Sequence, residues 1–374
     1  MMNNTIPTAQ TLVRFSNREQ QDFVSALRKR VDNYFKESNK SQNADTRMYV
    51  KTAVLVSAYI LPFVAILAFA PGFWVMTGLW IIMGFAMAGI GMSVMHDANH
   101  GAYLRDAKGN KFIGRILNLL GGSVYNWNLQ HNVLHHTYTN VSGKDNDIDN
   151  KLVLKFAPHG EVKPVHKHQW YLAFFFYGIL TIYWALAKDH VQYIRYRKEG
   201  LNKMTKKESR IFLFKITFLK TAYMLVAIGL PMMVGYTFWQ VFTGFLVMHF
   251  IAGMILSVVF QLAHVVESTA YPLPDEKGNM ENSWAVHQLH TTADFARHNK
   301  FLSWYVGGLN FQVEHHLFPN ICHVHYADLA PIVKETAAEF NHPYHEFNSF
   351  GQAFKSHIAT LRKFGTPPLD DIMG

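Results

Sequence analysis

The sequence is almost free of cysteine: its 374 residues include a single one, Cys322. A lone thiol excludes an intrachain disulfide and also excludes the thiolate clusters that bind structural zinc or iron–sulfur centres. The first fifty residues are polar and lack a basic segment followed by an apolar one, so we expect no cleaved signal peptide. Metal sites built from several cysteines are therefore excluded.

Acidic residues are in the minority, with 26 Asp and Glu against 35 Lys and Arg, which gives a net charge of +9. A basic chain can bind nucleic acid, but here the Lys and Arg residues flank long apolar segments. This distribution is expected of cytoplasmic loops beside anionic lipid head groups. We therefore expect a membrane and no nucleic acid as partner.

Long apolar runs are abundant, at roughly 52–70, 73–95, 170–187, 211–234 and 238–262. The first two contain "TAVLVSAYILPFVAILAFA" and "GFWVMTGLWIIMGFAMAGIGMSV", which carry no charge. At about 1.5 Å per residue, such helices cross a hydrocarbon core of roughly 30 Å. The sequence therefore predicts an integral membrane protein.

The positions of the basic residues favour four crossings over five. The short connections at 71–72 and 235–237 carry no Lys or Arg, whereas the segment 188–210 carries eight. The positive-inside tendency places 188–210 in the cytoplasm, which two helical hairpins satisfy and five spans do not. We therefore predict that 170–187 is an interfacial helix, that Lys215 and Lys220 extend towards the membrane surface, and that both histidine-rich regions face the cytoplasm.

The segment 19–36 has the pattern of a basic amphipathic helix. Phe23, Leu27, Val31 and Tyr34 recur at helical spacing, opposite a run of three basic residues. We expect this helix to lie on the membrane or on the catalytic part of the chain. The predicted division is a cytoplasmic or interfacial segment at 1–50, a membrane domain at 51–330 and a cytoplasmic tail at 331–374.

Histidine is the abundant residue, with 21 copies, and three clusters stand out. His96 and His100 in "HDANH" are four residues apart, on one helix face at the predicted end of the second span. The second cluster, "HNVLHH", holds His131 and His135 at the same spacing and then His136, which an α-helix would rotate by about 100° from its neighbour.

The third cluster is "FQVEHH", in which Gln312, His315 and His316 stand at i, i+3 and i+4. A short helix would turn all three to one side. Neutral imidazole is a strong ligand for iron, copper, zinc and nickel, and seven histidines in three clusters exceed the needs of one ion. Two metals are therefore predicted. The Glu-x-x-His pattern of soluble di-iron bundles is absent, so the site should be nearly all nitrogen.

Together, "HDANH", "HNVLHH" and "FQVEHH" resemble the three histidine boxes of the membrane fatty-acid desaturases, over roughly 50–330. The Gln that opens the third box resembles the front-end (delta-5/delta-6, linoleoyl-CoA desaturase-like) subgroup, which inserts a double bond between an existing one and the carboxyl end. The resemblance implies an all-α integral membrane fold with four transmembrane helices in two hairpins, interfacial helices and a cytoplasmic helical cap that holds a di-iron site.

Carried over residue by residue, the resemblance makes the seven histidines of the boxes iron ligands, with Gln312 as a further ligand or as a hydrogen-bond donor beside one. The family usually has one more ligand between the second and third boxes. This sequence offers His287 and His290 in "WAVHQLHTTADF" and His264 in "QLAHVVE"; we favour His287 and then His264. Carboxylates beside the boxes could accept the outer N–H of ligand imidazoles. The candidates are Asp97, Asp145, Asp147, Asp149, Glu267 and Glu314. Of these we favour Asp97, Asp147 and Glu314.

The resemblance also implies two iron ions, O₂ as co-substrate and a fatty acyl substrate linked to CoA or lipid. Breaking unactivated C–H bonds requires a redox cofactor, because side-chain acids and bases cannot do it. No haem-binding "HPGG" motif is visible, which indicates a separate electron donor such as ferredoxin or a cytochrome. We expect the bacterial inner membrane, with the catalytic side in the cytoplasm.

Two other functions fit parts of the pattern. A related membrane di-iron hydroxylase or ketolase would use the same boxes and differ in its product. A metal transporter or sensor would place polar residues along a path through the membrane. The clusters here lie at the ends of predicted spans and not at their middles, which disfavours transport.

Overall fold

The computed structural model describes residues 13–15, 20–149 and 153–367. Helices predominate among these residues. In chain order they are α1 (Gln21–Glu37), α2 (Thr46–Phe69), α3 (Phe73–Gly89), α4 (Met95–Asn99), α5 (Ala107–Gly114), α6 (Ile116–Leu119), α7 (Val124–Trp127), α8 (Gln169–Gly178), α9 (Leu180–Tyr183), α10 (Asp189–Lys198), α11 (Lys206–Met224), α12 (Leu230–Met233), α13 (Phe238–His264), α14 (Trp284–Thr291), α15 (Lys300–Tyr305), α16 (Gln312–Leu317), α17 (Tyr326–Glu339) and α18 (Phe350–Phe364).

The described strands are short and occur in two parallel pairs. β1 (Arg14–Phe15) pairs with β2 (Asn279–Met280), and β3 (Asp294–Phe295) pairs with β4 (Glu346–Phe347). Each strand has only two residues. The pairs therefore connect chain segments that are distant in sequence, but they do not form an extended sheet. The helical class predicted from the sequence is confirmed.

Four continuous helical stretches are long and apolar enough to cross a membrane: Thr46–Phe69, Phe73–Asn99, Lys206–Met233 and Phe238–His264. Large apolar side chains on them are exposed, including Phe69, Trp74 and Met233. Such exposure is stable only when lipid covers these faces. The chain is therefore an integral membrane protein, and the four stretches agree with the predicted number of spans.

The segment predicted as an interfacial helix forms a bent pair, Pro164–Gly178 and Leu180–Lys198, with an angle of 51° between its halves. If this pair were one span, the number of crossings would rise to five. Two glycines allow its close contact with α13. A Cβ on Gly178 would lie 2.2 Å from the Phe250 ring, and one on Gly253 would lie 2.6 Å from the Gly178 carbonyl oxygen.

Contacts group the described residues into two compact units that alternate along the chain. The span unit comprises 44–127 and 174–258; the histidine unit comprises the described residues up to 43, those of 128–173 and those from 259 onward. Because these units group residues by contact and not by successive segments, the three-part division of the sequence stays a prediction.

The N-terminal amphipathic helix is confirmed as α1, and it belongs to the histidine unit. Phe23, Leu27, Val31 and Phe35 are buried in a core that includes residues of α17. Tyr34, predicted on the apolar face, lies at its edge instead, where its hydroxyl donates to Asp328 at 2.5 Å. The helix therefore covers the core of this unit.

Lys220 does not extend to the membrane surface as predicted, because it is buried in the span unit. Its Nζ lies 2.7 Å from Asp189 Oδ2 and donates to the Gly121 carbonyl oxygen at 2.9 Å. It also donates to the carbonyl of Trp184. The lysine therefore connects α11 to α10 and to two backbone segments.

Removing Lys220 alone should destabilise the protein more than removing the whole ion pair. Lys220→Met leaves the Asp189 carboxylate buried without its cation, at a cost of about 3–5 kcal/mol. Lys220→Met combined with Asp189→Asn removes both charges and should recover part of this loss. Thermal unfolding in detergent measures the difference, with exposed Lys215→Met as control. Wild-type stability of the single variant would contradict the assignment.

Candidate metal centre

The second histidine cluster lies on a π-helical segment, Asn128–His135, and not on an α-helix. The His136 amide donates to the His131 carbonyl five residues earlier, at 3.0 Å. This wider winding brings His136 back over His131, with ring centroids 4.8 Å apart. The α-helical rotation of about 100° assumed for His136 from the sequence therefore does not describe this segment, which is wound as a π-helix.

The third cluster lies on α16, the short helix that its spacing predicted, and Gln312, His315 and His316 are all buried. Two glycines in the left-handed region, Gly307 (φ 63°) and Gly308 (φ 68°), form the turn before it. A Cβ on Gly308 would lie 2.9 Å from that of His323, so this turn admits no side chain there. The turn directs the first residues of α16 into the unit.

The histidine unit brings the second and third clusters together and adds His264, the last residue of α13. Ring centroids are 4.4 Å apart for His136 and His316, 4.7 Å for His136 and His315, and 4.7 Å for His135 and His264. Two groups made only of histidines within this unit have ligand atoms within 4.8 Å of one another: His135, His264 and His316, and His136, His315 and His316. His316 belongs to both groups.

Several ring nitrogens and one amide oxygen at this cluster are buried without a hydrogen-bond partner among the described residues. His135 Nε2, His316 Nε2 and Gln312 Oε1 have no hydrogen-bond partner among the described residues. A buried polar atom left in this state costs roughly 1–3 kcal/mol. A metal ion would remove that cost, and a nitrogen-rich donor set suits iron, copper or zinc. The residues therefore fit a metal centre.

The outer nitrogens of the same rings are held by acceptors. His135 Nδ1 lies 2.9 Å from Asp145 Oδ2, and His316 Nδ1 lies 2.8 Å from Gln288 Oε1. His315 Nδ1 is 3.2 Å from the Tyr326 hydroxyl. These contacts fix the ring orientation and leave Nε2 facing inward. Sequence reasoning missed Gln288 and Tyr326, because nothing in their local pattern marks them as partners of histidines.

The pKa values of His316 and His135 are shifted in opposite directions. Burial lowers the pKa of His316 well below its ordinary value, and the neighbouring histidines lower it further. His316 is therefore neutral at pH 7 and able to bind a metal. Burial also acts to lower the pKa of His135, but the charge of Asp145 and the hydrogen bond to it outweigh burial, so that pKa is raised.

The three predicted carboxylates take different places. Asp147 Oδ2 is 3.9 Å from Nδ1 of both His131 and His135, beyond hydrogen-bond distance, and Asp97 Oδ1 is 3.9 Å from His96 Nδ1. Asp145 makes the close contact instead. At His135, the acceptor is therefore Asp145, which was among the candidates, and not the favoured Asp147.

Glu314 faces away from the imidazoles, towards β3 and β4. Its Oε1 lies 2.9 Å from the Tyr344 hydroxyl, which also lies 2.6 Å from Asp294 Oδ2. Burial and the adjacent Asp294 raise the pKa of Glu314 well above its ordinary value, and burial raises the pKa of Asp294 to about 6. Two buried carboxyl groups that contact the same Tyr344 hydroxyl cannot both ionise readily, so ionisation of Glu314 is disfavoured.

His287, the favoured extra ligand, does not join the cluster. Its Nε2 lies 2.8 Å from the Thr139 carbonyl oxygen and donates to it, and burial lowers its pKa to about 4. His290 is half-buried, and its carbonyl accepts from Ala270. His264, ranked second, has its Nε2 2.9 Å from the Gln312 amide. The structure thus brings His264, and not His287, to the other clusters.

The first cluster lies in the span unit, where the stretch Phe73–Asn99 ends. The His100 amide donates to the His96 carbonyl at 3.0 Å, and the two ring centroids are 4.6 Å apart. Both rings meet Trp127 edge-on, with centroids at 5.7 Å. His96 and His100 therefore share one helix face, as their spacing predicted.

Known proteins resemble this chain over the segment that contains the three histidine clusters. Residues 71–348 match the family model "Fatty acid desaturase", which covers more than half of the chain and all three clusters. The sn-1 linoleoyl-lipid 6-desaturase of Arthrospira platensis is 33% identical over 347 residues, 92% of this chain and 93% of that protein. The enzyme of the same name from Synechocystis sp. is 33% identical over 95% of this chain and 99% of its own. The acyl-lipid (8-3)-desaturase of Physcomitrium patens is 33% identical over 94% and 74%.

Replacing Asp145 should weaken metal binding more than replacing Asp147. Asp145→Asn removes the charge that holds Nδ1–H of His135, and loss of such a partner typically lowers metal affinity about 10–100-fold. Asp147→Asn, a matched change two residues away, should have a smaller effect, since Asp147 lies 3.9 Å from both rings. Metal titration of the purified variants measures both. Equal losses, or a larger loss for Asp147→Asn, would contradict the assignment.

Proposed function

The chain belongs to the fatty acid desaturase family, and within it we propose a front-end desaturase that acts on lipid-linked acyl chains. That it is a fatty acid desaturase follows from the family match and from relatives aligned over more than nine-tenths of the chain. The front-end assignment is supported by Gln312 in the third box and by the names of those relatives, two of which are linoleoyl-lipid 6-desaturases.

The observation that carries the metal proposal is the convergence of buried inner nitrogens from two boxes and His264. We propose two iron ions, held by His96, His100, His131, His135, His136, His264, His315 and His316, with Gln312 beside them. His264 replaces His287 in this set, because only His264 lies in a group of mutually close ligand atoms. When bound, the iron pair would supply O₂-dependent oxidation of an unactivated C–H bond.

The protein's own part is to hold the imidazoles in place and to exclude water. His135, His264, His315 and His316 are almost fully buried, so bulk water does not compete with them for a metal. Asp145 accepts from Nδ1 of His135, which directs the lone pair of Nε2 inward. The Gln312 amide lies beside Nε2 of His264 and its Oε1 is buried, so we place Gln312 at the same metal position as His264.

The arrangement in the membrane is proposed from charge. Eight basic residues in 188–210, and none in the two short connections, support two hairpins with both termini and the catalytic residues in the cytoplasm. An external donor, such as a ferredoxin or a cytochrome, would then deliver electrons from the same compartment. For a bacterial chain the membrane would be the inner one.

The product reveals the position of the new double bond. A host that expresses the chain and is fed linoleate should form a Δ6 double bond, which gas chromatography–mass spectrometry of derivatised lipids locates. Because the substrate is proposed to be lipid-linked, a pulse of labelled linoleate should show the new bond in membrane lipid before acyl-CoA. Hydroxylated product, exclusive Δ9 insertion into stearate, or insertion towards the methyl end would contradict the proposal.

The same product analysis compares two histidine variants, one at a proposed ligand and one at a histidine outside the ligand set. His264→Ala removes a proposed ligand and should abolish product, while His287→Ala removes a hydrogen bond to Thr139 and should retain some. Immunoblots of membrane fractions control for expression. Full activity of His264→Ala would remove that residue from the ligand set.

A further inference from the structure

Helix α14 contacts three ligand-bearing segments although none of its side chains belongs to the metal-ligand groups. The Trp284 indole donates to the His136 carbonyl oxygen at 2.9 Å, and His287 donates to that of Thr139 at 2.8 Å. At its end, the Thr291 carbonyl oxygen lies 3.4 Å from Nδ1 of His264. The helix therefore supports the second cluster and His264 through separate contacts.

Gln288, in the middle of α14, is fully buried and reaches the third cluster. Its Oε1 lies 2.8 Å from His316 Nδ1 and 2.8 Å from the Thr139 hydroxyl. Its Nε2 lies 3.5 Å from the His136 carbonyl oxygen. One amide thus joins the box that carries His136 to the box that carries His316.

The orientation of this amide follows from its neighbours. Reversing it would place Oε1 against the His136 carbonyl oxygen, where two acceptors would repel each other. With Nε2 on that side, Oε1 must face His316. An amide oxygen only accepts hydrogen bonds, so Nδ1 of His316 must carry the proton. Nε2 of His316, which has no partner among the described residues, then presents its lone pair.

We infer that Gln288 is a positioning residue that fixes the tautomer and ring orientation of His316. This rests on the proposed metal centre. His316 belongs to two groups of mutually close ligand atoms, one with His135 and His264 and one with His136 and His315. Its orientation therefore affects both proposed metal positions, and a change at Gln288 alters the centre without removing any ligand.

The test uses the full-length protein in detergent and anaerobic titration with Fe²⁺. Gln288→Met has a similar volume but no acceptor, which leaves Nδ1 of His316 only the Thr139 hydroxyl at 3.2 Å. We expect metal affinity to fall about 10–100-fold. Gln288→Glu keeps an acceptor for Nδ1 of His316 but turns its second oxygen towards the His136 carbonyl oxygen, so it should lose less affinity than Gln288→Met. The Mössbauer spectrum of ⁵⁷Fe should change in Gln288→Met, because the ring that ligates it is no longer held.

Control measurements separate positioning from packing. His290→Leu, on the half-buried side of the same helix, should leave iron affinity and spectrum unchanged. Wild-type affinity and spectrum in Gln288→Met would overturn the inference, and so would equal losses in Gln288→Met and Gln288→Glu. If Gln288→Met does not accumulate, Gln288→Asn replaces it, because its side chain is one methylene shorter and its amide oxygen no longer reaches His316. Wild-type affinity and spectrum in Gln288→Asn, or a loss equal to that of Gln288→Glu, would then overturn the inference.

Failure of this inference and failure of the proposed function give different results. If the wild type binds no iron, the proposed metal centre fails and the Gln288 inference, which rests on it, is overturned as well. If the wild type binds iron and forms product but Gln288→Met matches it in both affinity and spectrum, only the role of Gln288 is overturned.

Discussion

The structure depends on one constraint: imidazole rings from separate chain segments must be buried side by side with their orientation fixed. Burial lowers the pKa of His316, and rings packed within 5 Å of it lower it further. Acceptors on the outer nitrogens then decide which nitrogen of each ring faces inward. Nε2 of His135 and of His316 is buried without a partner among the described residues, and the proposed metal would satisfy both atoms.

Much of this centre was predictable because ligand spacing is a local property. Four-residue spacing placed His96 and His100 on one face, and i, i+3, i+4 spacing predicted the short helix α16. The winding of the second box was not predictable, because "HNVLHH" fits an α-helix equally well and only the backbone shows the His136 to His131 hydrogen bond. The choice between His264 and His287 was also out of reach, since it depends on which residue tertiary packing brings to His135.

In the membrane-spanning helices, too, features set by the local sequence were predictable, whereas contacts between distant residues were not. Length and hydropathy identified the four long apolar helices, because a span is defined by its own composition. Lys220 is buried because it pairs with Asp189, a residue distant in sequence. Without such a partner, burying a charged side chain in a span costs more free energy than extending it to the membrane surface. The outer partners of the histidines, Asp145 and Gln288, follow the same rule: their residue types were visible, but their pairing was not.

The central claim is that the buried nitrogens form a di-iron centre, and the iron content of active protein tests it most directly. Protein purified from iron-replete cells, assayed for desaturase product and analysed for metals in the same sample, should contain close to two iron ions per chain. Activity should rise and fall with that content. One ion per chain, or full activity with zinc in place of iron, would contradict the account.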